Sequence, residues 1–345
     1  MSVTYYIERN RNNLKKLNTM LNELPAFCSV FFIGIQNNTT ALTRVNYARD
    51  LKLFFNYLTT YEIGFMKDIK DVSIDDMNKV NSELIERFLA YLSYYDNEKG
   101  IVFTNSEKGK SRKLSSLRSF FTYFFDKNYI KSNELSKVKL PKIHTKAIIR
   151  LEPNEVSNML NVSETLQGFS KHQQKYNARF TARDNAILSL FLGTGIRVSE
   201  CVGLNIEDLD FSTNSFQIIR KGGNQVILYF STEVADSLKR YLDFRATMGL
   251  PETEKALFIS IQKTRMTVRA IENLVKKYAR VVTPLKNISP HKLRSTYGTN
   301  LYRATNDIYI VADVLGHKDV NITKKHYAAI SEDIRKNAAD KVKLR

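Results

Sequence analysis

The residues best suited to chemistry in this 345-residue chain are basic or aromatic side chains near glycines, turns or helix starts in its second half. In chain order they are Arg197, Lys221, His291, Arg294, His317 and Tyr327. Two arginines can hold a phosphodiester and offset the charge that builds on a pentacoordinate phosphorus. Histidines can move protons near neutral pH, a lysine can protonate a departing sugar oxygen, and a tyrosine can attack phosphorus. The set predicts phosphoryl transfer on nucleic acid, without a metal or nucleotide cofactor.

The segment "SPHKLR" (289–294) shows how local sequence positions such residues. Ser289 is a predicted helix N-cap, and Pro290 fits the first helical position. His291 and Arg294 then share one face of the first turns, where free amides and the helix dipole favour an anion. This geometry suits a phosphate better than a metal, and the chain contains neither an HExxH zinc motif nor a Walker motif.

Each of these residues also has a non-catalytic interpretation or a nearby rival for its role. Arg197 follows the glycines of "GTGIR" and is typical of an exposed arginine at a helix start, with Glu200 in a supporting or capping role. Lys221 stands at a predicted hairpin tip and competes with Arg220 for the role of proton donor. Tyr327 is one of 18 tyrosines. Its nearby rivals are Tyr297, Tyr302 and Tyr309.

The chain carries an excess of positive charge, with a formal net charge of +18 and an isoelectric point near 9.6. Such a surplus favours a polyanionic partner over a small neutral substrate. Residues 101–150 contain 12 lysines and arginines against three acids, which is half of the net charge. This region is either a solvated face with a charged linker or a surface that follows a DNA backbone. The first predicted DNA contacts are Lys110, Arg112, Lys113 and Arg118.

Cysteine usage and hydropathy exclude several classes of protein. Cys28 and Cys201 are the only cysteines, so neither a disulfide framework nor a cysteine-rich zinc site is predicted, and a reducing cytoplasm fits. The N-terminal segment lacks the apolar core of a signal peptide. The most apolar run, 26–35, is about half the length that a bilayer-spanning helix needs. We therefore expect a cytoplasmic protein without a membrane anchor.

Helical apolar spacing dominates the chain, so the fold is predicted to be mainly α-helical with a small antiparallel β-sheet. A polar leading helix is predicted over 1–23 and a compact bundle of about four helices over 24–136. The bundle helices are predicted at 26–36, 41–59, 74–97 and 111–129. A basic linker follows at 137–150, then a second domain at 151–330 and a tail at 331–345.

The second domain carries the candidate chemistry. Residues 161–180 are polar and are predicted to be partly loop. Residues 181–195 are predicted to form a buried helix that ends in glycine. Two β-rich runs within 215–230 flank a pair of glycines, which predicts a hairpin. A later helix is predicted to end at Gly316, with His317 in the turn before the helix that carries the candidate nucleophile.

In order and context these residues resemble the tyrosine recombinase family, which includes phage integrases and Xer recombinases. The similarity covers roughly 24–335 and is most specific in "GTGIRVSE", "RKGGNQVILYF", "PHKLRSTYGTNLY" and "VLGHKDVNITKKHY". The family active site contains Arg, Lys, His, Arg, His or Trp, and Tyr in that order. The resemblance therefore assigns catalytic roles to Arg197, Lys221, His291, Arg294, His317 and Tyr327, with the tyrosine as nucleophile.

The resemblance also implies an architecture and a reaction. A helical, SAM-like core-binding domain and a mixed α/β catalytic domain would form a C-shaped clamp on a double-stranded DNA recombination site. Strands would be cut and rejoined through a 3′-phosphotyrosine link and a Holliday junction. A homotetramer on paired sites would form by exchange of C-terminal helices, for which 331–345 is the candidate tail. An accessory or cell-division protein is a further candidate partner, and no cofactor is implied.

Two positions depart from the family pattern. Tyr327 lies ten positions after His317, where nine is usual. Ser295 follows Arg294, where many relatives have histidine. An extra residue in the turn before the tyrosine can be absorbed, so Tyr327 remains the predicted nucleophile.

Within the family, the chain length and the segments "KHQQKYNARFTARDNAIL" and "SPHKLRSTYGTNLYRAT" resemble the single-protein Xer recombinases of some Gram-positive bacteria. Those enzymes resolve chromosome dimers. Integrases of mobile elements share the catalytic segments and are the main alternative. A relaxing type IB topoisomerase and a non-catalytic DNA-binding relative are further alternatives, and the full set of six residues argues against the second.

Overall fold

The computed structural model describes residues 3–96, 100–140, 142, 149–220, 223–317, 319–321 and 323. Their contacts divide the chain into two compact units, one formed by Tyr5–Lys146 and the other within Ala147–Arg345. Parts of the predicted linker (141 and 143–148) and the whole predicted tail (331–345) lie outside the described residues. The predicted domain limits therefore remain predictions.

The described residues of the first unit form helices and one short hairpin. The helices are α1 (Val3–Leu21), α2 (Cys28–Gly34), α3 (Ala41–Tyr61), α4 (Ser82–Tyr91) and α5 (Glu107–Asp126). The hairpin strands are β1 (Tyr95–Asp96) and β2 (Val102–Phe103), which pair antiparallel. Single 3₁₀ turns occupy Ile63–Phe65, Ile69–Asp71, Asp75–Lys79 and Glu134–Ser136.

Side-chain caps set the starts of three of these helices. Thr40, Asn81 and Ser106 each accept a hydrogen bond from the amide three residues on, at the starts of α3, α4 and α5. The Ser106 cap begins α5 four residues before its predicted start. The apolar helix faces meet in a core of edge-to-face phenylalanines. Its fully buried members include Phe31, Phe54, Phe55, Phe88, Phe120, Phe121 and Phe124.

The single helix predicted over 74–97 is wrong. The chain forms the 3₁₀ segment Asp75–Lys79, becomes extended at Asn81 and enters α4 only at Ser82, and α4 ends before β1. Asp76 explains the break, because its buried carboxylate accepts hydrogen bonds from a nearby serine and from two lysines. Those contacts fix a turn where helical spacing predicted a continuous helix.

The second unit contains more helices and a three-stranded antiparallel sheet in its described part. The helices are α6 (Pro153–Thr165), α7 (Lys171–Asn177), α8 (Thr181–Thr194), α9 (Val198–Gly203), α10 (Thr232–Ala246), α11 (Val268–Val282), α12 (Pro290–Thr305) and α13 (Ile308–Leu315). The strands are β3 (Leu209–Asp210), β4 (Ser215–Ile219) and β5 (Gln225–Tyr229), in the order β3-β4-β5. Short 3₁₀ turns occupy Ala178–Phe180 and Ile206–Asp208.

The buried helix predicted over 181–195 and the hairpin predicted over 215–230 are confirmed as α8 and as the β4–β5 pair. The polar stretch 161–180 is helical except for the loop 166–170, because reciprocal side-chain bonds between residues 170 and 173 start α7. Strand β3 was not predicted, since two residues are too short to show an alternating pattern.

Asp184 anchors the core of the second unit. Its fully buried carboxylate accepts hydrogen bonds from Lys277 Nζ at 2.7 Å, Tyr278 Oη at 3.0 Å and the Arg183 guanidinium at 2.8 Å. These contacts join α8 to α11. The predicted fold class, mainly α with small antiparallel sheets, is confirmed. Over the ranges described, no helix is long and apolar enough to cross a membrane.

Candidate active site

Arg197 lies at a tight turn between α8 and α9. Gly195 ends α8 with φ of +62°, a left-handed conformation that glycine adopts without strain. A Cβ on Gly195 would lie 2.5 Å from the ring of Tyr297 on α12. Glycine therefore allows both the turn and the close approach of α12, and the chain emerges from this turn at Arg197.

Glu200 orients the Arg197 side chain. Its buried carboxylate accepts a hydrogen bond from the Arg197 amide at 2.9 Å and another from Arg197 Nη1 at 2.8 Å. Because one carboxylate binds both the backbone and the guanidinium, the arginine is held in one orientation. The geometry supports the positioning role expected for Glu200.

Arg294 lies in the second turn of α12 and is only 5% exposed. Its Nη1 donates to the Gly195 carbonyl and its Nη2 to the Leu315 carbonyl. The guanidinium thus links the end of α8, 99 positions away in sequence, to the end of α13, the helix that follows α12. The Gly195 and Leu315 carbonyls are neutral acceptors, so these two hydrogen bonds leave the charge of the guanidinium able to attract an anion.

Arg197 and Arg294 meet at the same backbone oxygen. Arg197 Nη2 lies 3.2 Å from the carbonyl oxygens of Leu315 and Gly316, and Arg294 also donates to Leu315. These carbonyls form the C-terminal end of α13, where the helix dipole is negative and attracts cations. Two arginines that are 97 positions apart in sequence are therefore brought together by one helix end.

A third arginine, Arg220, directly follows strand β4 and reaches the same helix end. Its Nη2 donates to the Val314 carbonyl at 2.6 Å and its Nη1 to the Asp313 carbonyl at 3.3 Å. Burial lowers the pKa of Arg220, the negative charge of Glu200 opposes that shift, and the positive charge of Arg197 adds to it. The sequence offered no local signal for this contact, which joins residues 93 positions apart.

His317 directly follows the end of α13. Gly316 adopts φ of +61° and turns the chain, and the His317 amide donates to the Ala312 carbonyl at 2.9 Å. The His317 Nδ1 atom lies 2.7 Å from Oγ1 of the buried Thr323, so the ring orientation is set by that hydroxyl. The predicted end of the helix at Gly316 and the turn position of His317 are as expected.

His291 occupies the first turn of α12 with an exposed side chain, one turn before Arg294. Helix α12 begins at Pro290 as predicted, with Ser289 at the N-cap position. The Ser289 side chain makes no capping bond to the helix, so proline rather than the serine hydroxyl defines this start. Lys221 and Tyr327 lie outside the described residues, and their roles stay predictions.

The described part of the site is rich in positive charge. Three guanidinium groups surround the end of α13, and Glu200 is the carboxylate that pairs with one of them. A phosphate can accept bidentate hydrogen bonds from such groups, and fixed donors stabilise charge that develops during phosphoryl transfer. Within the described ranges no group of three or more histidine, cysteine or acidic side chains could hold a metal ion.

The four DNA contacts predicted in the first unit all bond within the unit. Arg112 binds both oxygens of the buried Asp50, at 2.5 and 2.7 Å, although half of its own side chain is exposed. Arg118 donates to the carbonyls of Leu135 and Val138. These two arginines support the fold of the unit. Asp50 was missed from sequence because a buried aspartate has no distinctive local pattern.

The two lysines have weaker ties. Lys110 donates to Ser93 Oγ at 2.5 Å, and Lys113 donates to Asn105 Oδ1 at 2.7 Å. Burial lowers the pKa of the Lys113 ammonium. Both side chains are partly exposed on α5, where a DNA backbone can replace a single neutral partner.

The chain matches the family described as the phage integrase family over residues 150–333. Tyrosine recombinase XerC of Caldanaerobacter subterraneus subsp. tengcongensis is 33% identical over 288 residues, which cover 81% of this chain and 75% of that protein. Tyrosine recombinase XerS of Lactococcus lactis subsp. cremoris is 27% identical over 323 residues, which cover 86% of this chain and 89% of that protein.

The fold is also similar to that of a solved structure, the XerH site-specific recombinase bound to its difH substrate before cleavage. The two align with a TM-score of 0.61 at 20% identity, covering 84% of this chain and 76% of XerH. This level of identity shows a shared fold. The family match spans more than half of the chain and the XerC relative is 33% identical. The chain therefore belongs to the tyrosine recombinase (phage integrase) family of DNA strand-exchanging enzymes.

Proposed function

We propose that the chain is an Xer-type site-specific recombinase that resolves chromosome dimers. The observation that carries the chemistry is the shared Leu315 carbonyl, which brings the guanidinium groups of Arg197 and Arg294 to one point beside His317. The similarity to XerC and XerS supports the biological role.

In this proposal Arg197 and Arg294 bind the non-bridging oxygens of the scissile phosphate. Their side chains are already held by Glu200 and by backbone carbonyls, so little reorganisation is needed when negative charge grows on those oxygens. His291 and His317 position oxygens and move protons. An imidazole ring can both donate and accept a proton, which suits both tasks.

Tyr327 supplies the nucleophile and Lys221 the proton for the leaving group. The Tyr327 hydroxyl gives its proton to one of the two histidines and its oxygen bonds to phosphorus, the bond to the 5′-oxygen breaks, and that oxygen takes a proton from Lys221. The product is a 3′-phosphotyrosine link and a free 5′-hydroxyl. Attack by the 5′-hydroxyl of a partner strand reverses these steps and gives a Holliday junction. No hydrolysis or cofactor is needed, because the bond energy is kept in the phosphodiester.

The proposed partner is a double-stranded DNA site bound by a homotetramer. The net charge of +18 and the partly exposed lysines of α5 support DNA binding. XerH in the similar structure is bound to its difH substrate. An accessory or cell-division protein is a further candidate partner.

The biological role is tested with DNA that the purified chain enriches from fragments of its own genome. A supercoiled plasmid carrying two direct copies of the enriched site should be resolved into two circles by the chain alone. Deletion of the gene should leave a fraction of cells with unseparated chromosomes. The matched control is Tyr327→Phe, which should bind the site and resolve nothing.

Two results separate the alternatives. An enriched site at the ends of a mobile segment, with normal chromosome separation in the deletion strain, would identify an integrase of a mobile element. Relaxation of plasmids without any need for a paired site would identify a topoisomerase.

A further inference from the structure

We propose that Arg220 is a positioning residue for DNA strand cleavage. It fastens the β4–β5 hairpin to the C-terminal end of α13 and so fixes the turn on which His317 stands. The proposal rests on the proposed function, since it concerns the geometry of that cleavage site. It assigns Arg220 a purpose different from the proton-donor role for which it competes with Lys221 in sequence.

The backbone of Arg220 belongs to the hairpin. Its amide donates to the Asn224 carbonyl at 2.8 Å, and its carbonyl accepts from the Gly223 amide at 3.1 Å. Its side chain leaves the hairpin and donates to the carbonyls of Asp313 and Val314. Arg220 therefore connects the hairpin, at the position directly before Lys221 in sequence, to the helix end that precedes His317.

The contacts of Arg220 continue those of the two predicted catalytic arginines. Arg220 takes the carbonyls of residues 313 and 314, Arg294 takes residue 315, and Arg197 takes residues 315 and 316. Each of the last four carbonyls before His317 is thus bound by an arginine. A shift of this helix end would move the acceptors of all three guanidinium groups together.

Gly316 shows how closely Arg220 approaches the turn. A Cβ on Gly316 would lie 2.1 Å from Arg220 Nη1 and 2.5 Å from its Cζ. The residue also has φ of +61°, which disfavours any other side chain. Glycine at 316 therefore meets two demands, the left-handed turn and the space taken by the Arg220 guanidinium.

The placement of Arg220 carries a desolvation cost, which argues against a casual surface contact. Its Nε is buried and has no hydrogen-bond partner in the part of the chain that the structure describes. Burial lowers the pKa of the Arg220 guanidinium, and the charges of Glu200 and Asp313 offset that shift only in part. An arginine with no structural task would extend into water, where these costs vanish.

The first test measures single-turnover cleavage of a nicked duplex that carries the enriched site, with protein in excess over DNA. Arg220→Ala should cleave about 100-fold more slowly, because a displacement of about 1 Å at a reacting centre has an effect of that size. Its dissociation constant for the intact duplex should change little. Arg220→Lys should be intermediate, since an ammonium can bind one of the two carbonyls.

The matched control for a buried arginine on carbonyls is Arg245. It donates to the carbonyls of Ala256 and Glu254 and is 8% exposed. Arg245→Ala should lower the melting temperature and leave the cleavage rate of the folded protein unchanged. If Arg220 had a merely structural role, Arg220→Ala would likewise lower the melting temperature and leave the cleavage rate unchanged.

The second test is a double-mutant cycle between Arg220 and Gly316. Gly316→Ala should slow cleavage in the wild-type background, where the new methyl group displaces the guanidinium. The same change should slow Arg220→Ala much less, because the clash is gone. Gly249→Ala is the control for backbone strain, since Gly249 has a similar φ of +60° and its Cβ would meet only the tip of Lys263, at 3.9 Å.

The outcomes are distinct. Cleavage by Arg220→Ala at the wild-type rate, or rate effects of the two mutations that simply multiply, would overturn the positioning role alone. Failure of the wild-type chain to form a covalent adduct with any enriched duplex would overturn the proposed function and this proposal with it.

Discussion

At the residue scale, Arg294 is the central residue of the candidate site, because its guanidinium is buried and joins two other segments of the chain. Arg197 and Arg294 could be singled out from sequence, since glycines and a Ser-Pro pair mark their positions. The role of Arg220 could not, because it depends on carbonyls 93 and 94 residues away. The same limit hid Asp50, whose partner Arg112 lies 62 residues on.

Arg294→Lys should cleave the nicked duplex roughly 10²–10³-fold more slowly than the wild type. A lysine cannot bind two carbonyls and a phosphate in the fixed geometry of a guanidinium. Single-turnover cleavage and a binding isotherm measure the change in rate and the nearly constant affinity. Arg245→Lys is the control, and a wild-type rate for Arg294→Lys would remove Arg294 from the proposed site.

A second pair of variants separates fold from DNA contact in the first unit. Arg112→Ala should lower the free energy of unfolding by about 1.5–3 kcal/mol, because the buried Asp50 carboxylate then loses its charged partner. Lys110→Ala should change stability by less than about 0.5 kcal/mol. Urea unfolding measures both, and equal stability losses would contradict these assignments.

The lysine variant also tests the DNA contact. Lys110→Ala should weaken binding and reduce the slope of log Kd against log salt by about one, as expected for one lost phosphate contact. Fluorescence anisotropy over a salt series measures this slope. An unchanged slope would place Lys110 outside the DNA interface.

At the element scale, the end of α13 organises the site. Helices α3 and α5 were predictable to within a few residues from their apolar spacing, and the start of α3 also from its threonine cap. Helix α8 was predictable from an apolar run that ends at glycine. The prediction of one helix over 74–97 failed because hydrogen bonds from nearby side chains to the buried Asp76 carboxylate override the helical spacing. Strand β3 and the β1–β2 hairpin are too short to leave a pattern.

The start of α6 offers a pH-dependent test of an element contact. Glu155 accepts a hydrogen bond from the amide of Glu152, the N-cap residue of α6, at 2.8 Å. It also accepts hydrogen bonds from Lys286 Nζ at 2.6 and 2.7 Å, which tie α6 to the segment before α12. Burial acts to raise the pKa of Glu155, but the Lys286 and backbone hydrogen bonds outweigh it and hold the pKa below its ordinary value of 4.5. The stabilisation is therefore fully present above pH 4.5 and is lost as the pH falls through the folded pKa.

Glu155→Gln should lower the free energy of unfolding by about 1–2 kcal/mol at pH 7. The difference in stability between Glu155→Gln and the wild type should shrink as the pH falls below the ordinary carboxyl pKa. The Glu155 carboxylate of the wild type then gains a proton first in the unfolded state and, at lower pH, in the folded state. Urea unfolding at several pH values measures this difference. The control is Glu164→Gln on the same helix, whose ion pair with Arg240 is exposed and should contribute less than about 0.5 kcal/mol. A pH-independent difference would contradict the role of the Glu155 charge.

At the scale of the whole molecule, charge and two-unit construction fit a protein that binds a long polyanion. The net charge of +18 was available from composition, and it predicts strong dependence of DNA affinity on salt. If roughly six to ten phosphates are neutralised, the affinity should fall by about 10³–10⁵ between about 50 and 200 mM salt. A salt titration with the enriched duplex measures this, and a change below about tenfold would contradict a phosphate-dominated interface.

The central claim is that Tyr327 forms a covalent link to DNA at the site built around Arg197 and Arg294. The most direct measurement incubates wild type and Tyr327→Phe with the nicked duplex, resolves adducts on a denaturing gel and maps the DNA-linked peptide by mass spectrometry. The wild type should form an adduct linked through Tyr327, and Tyr327→Phe should bind the duplex and form none. An adduct in Tyr327→Phe, or a link mapped to another residue such as Tyr297, would contradict this claim.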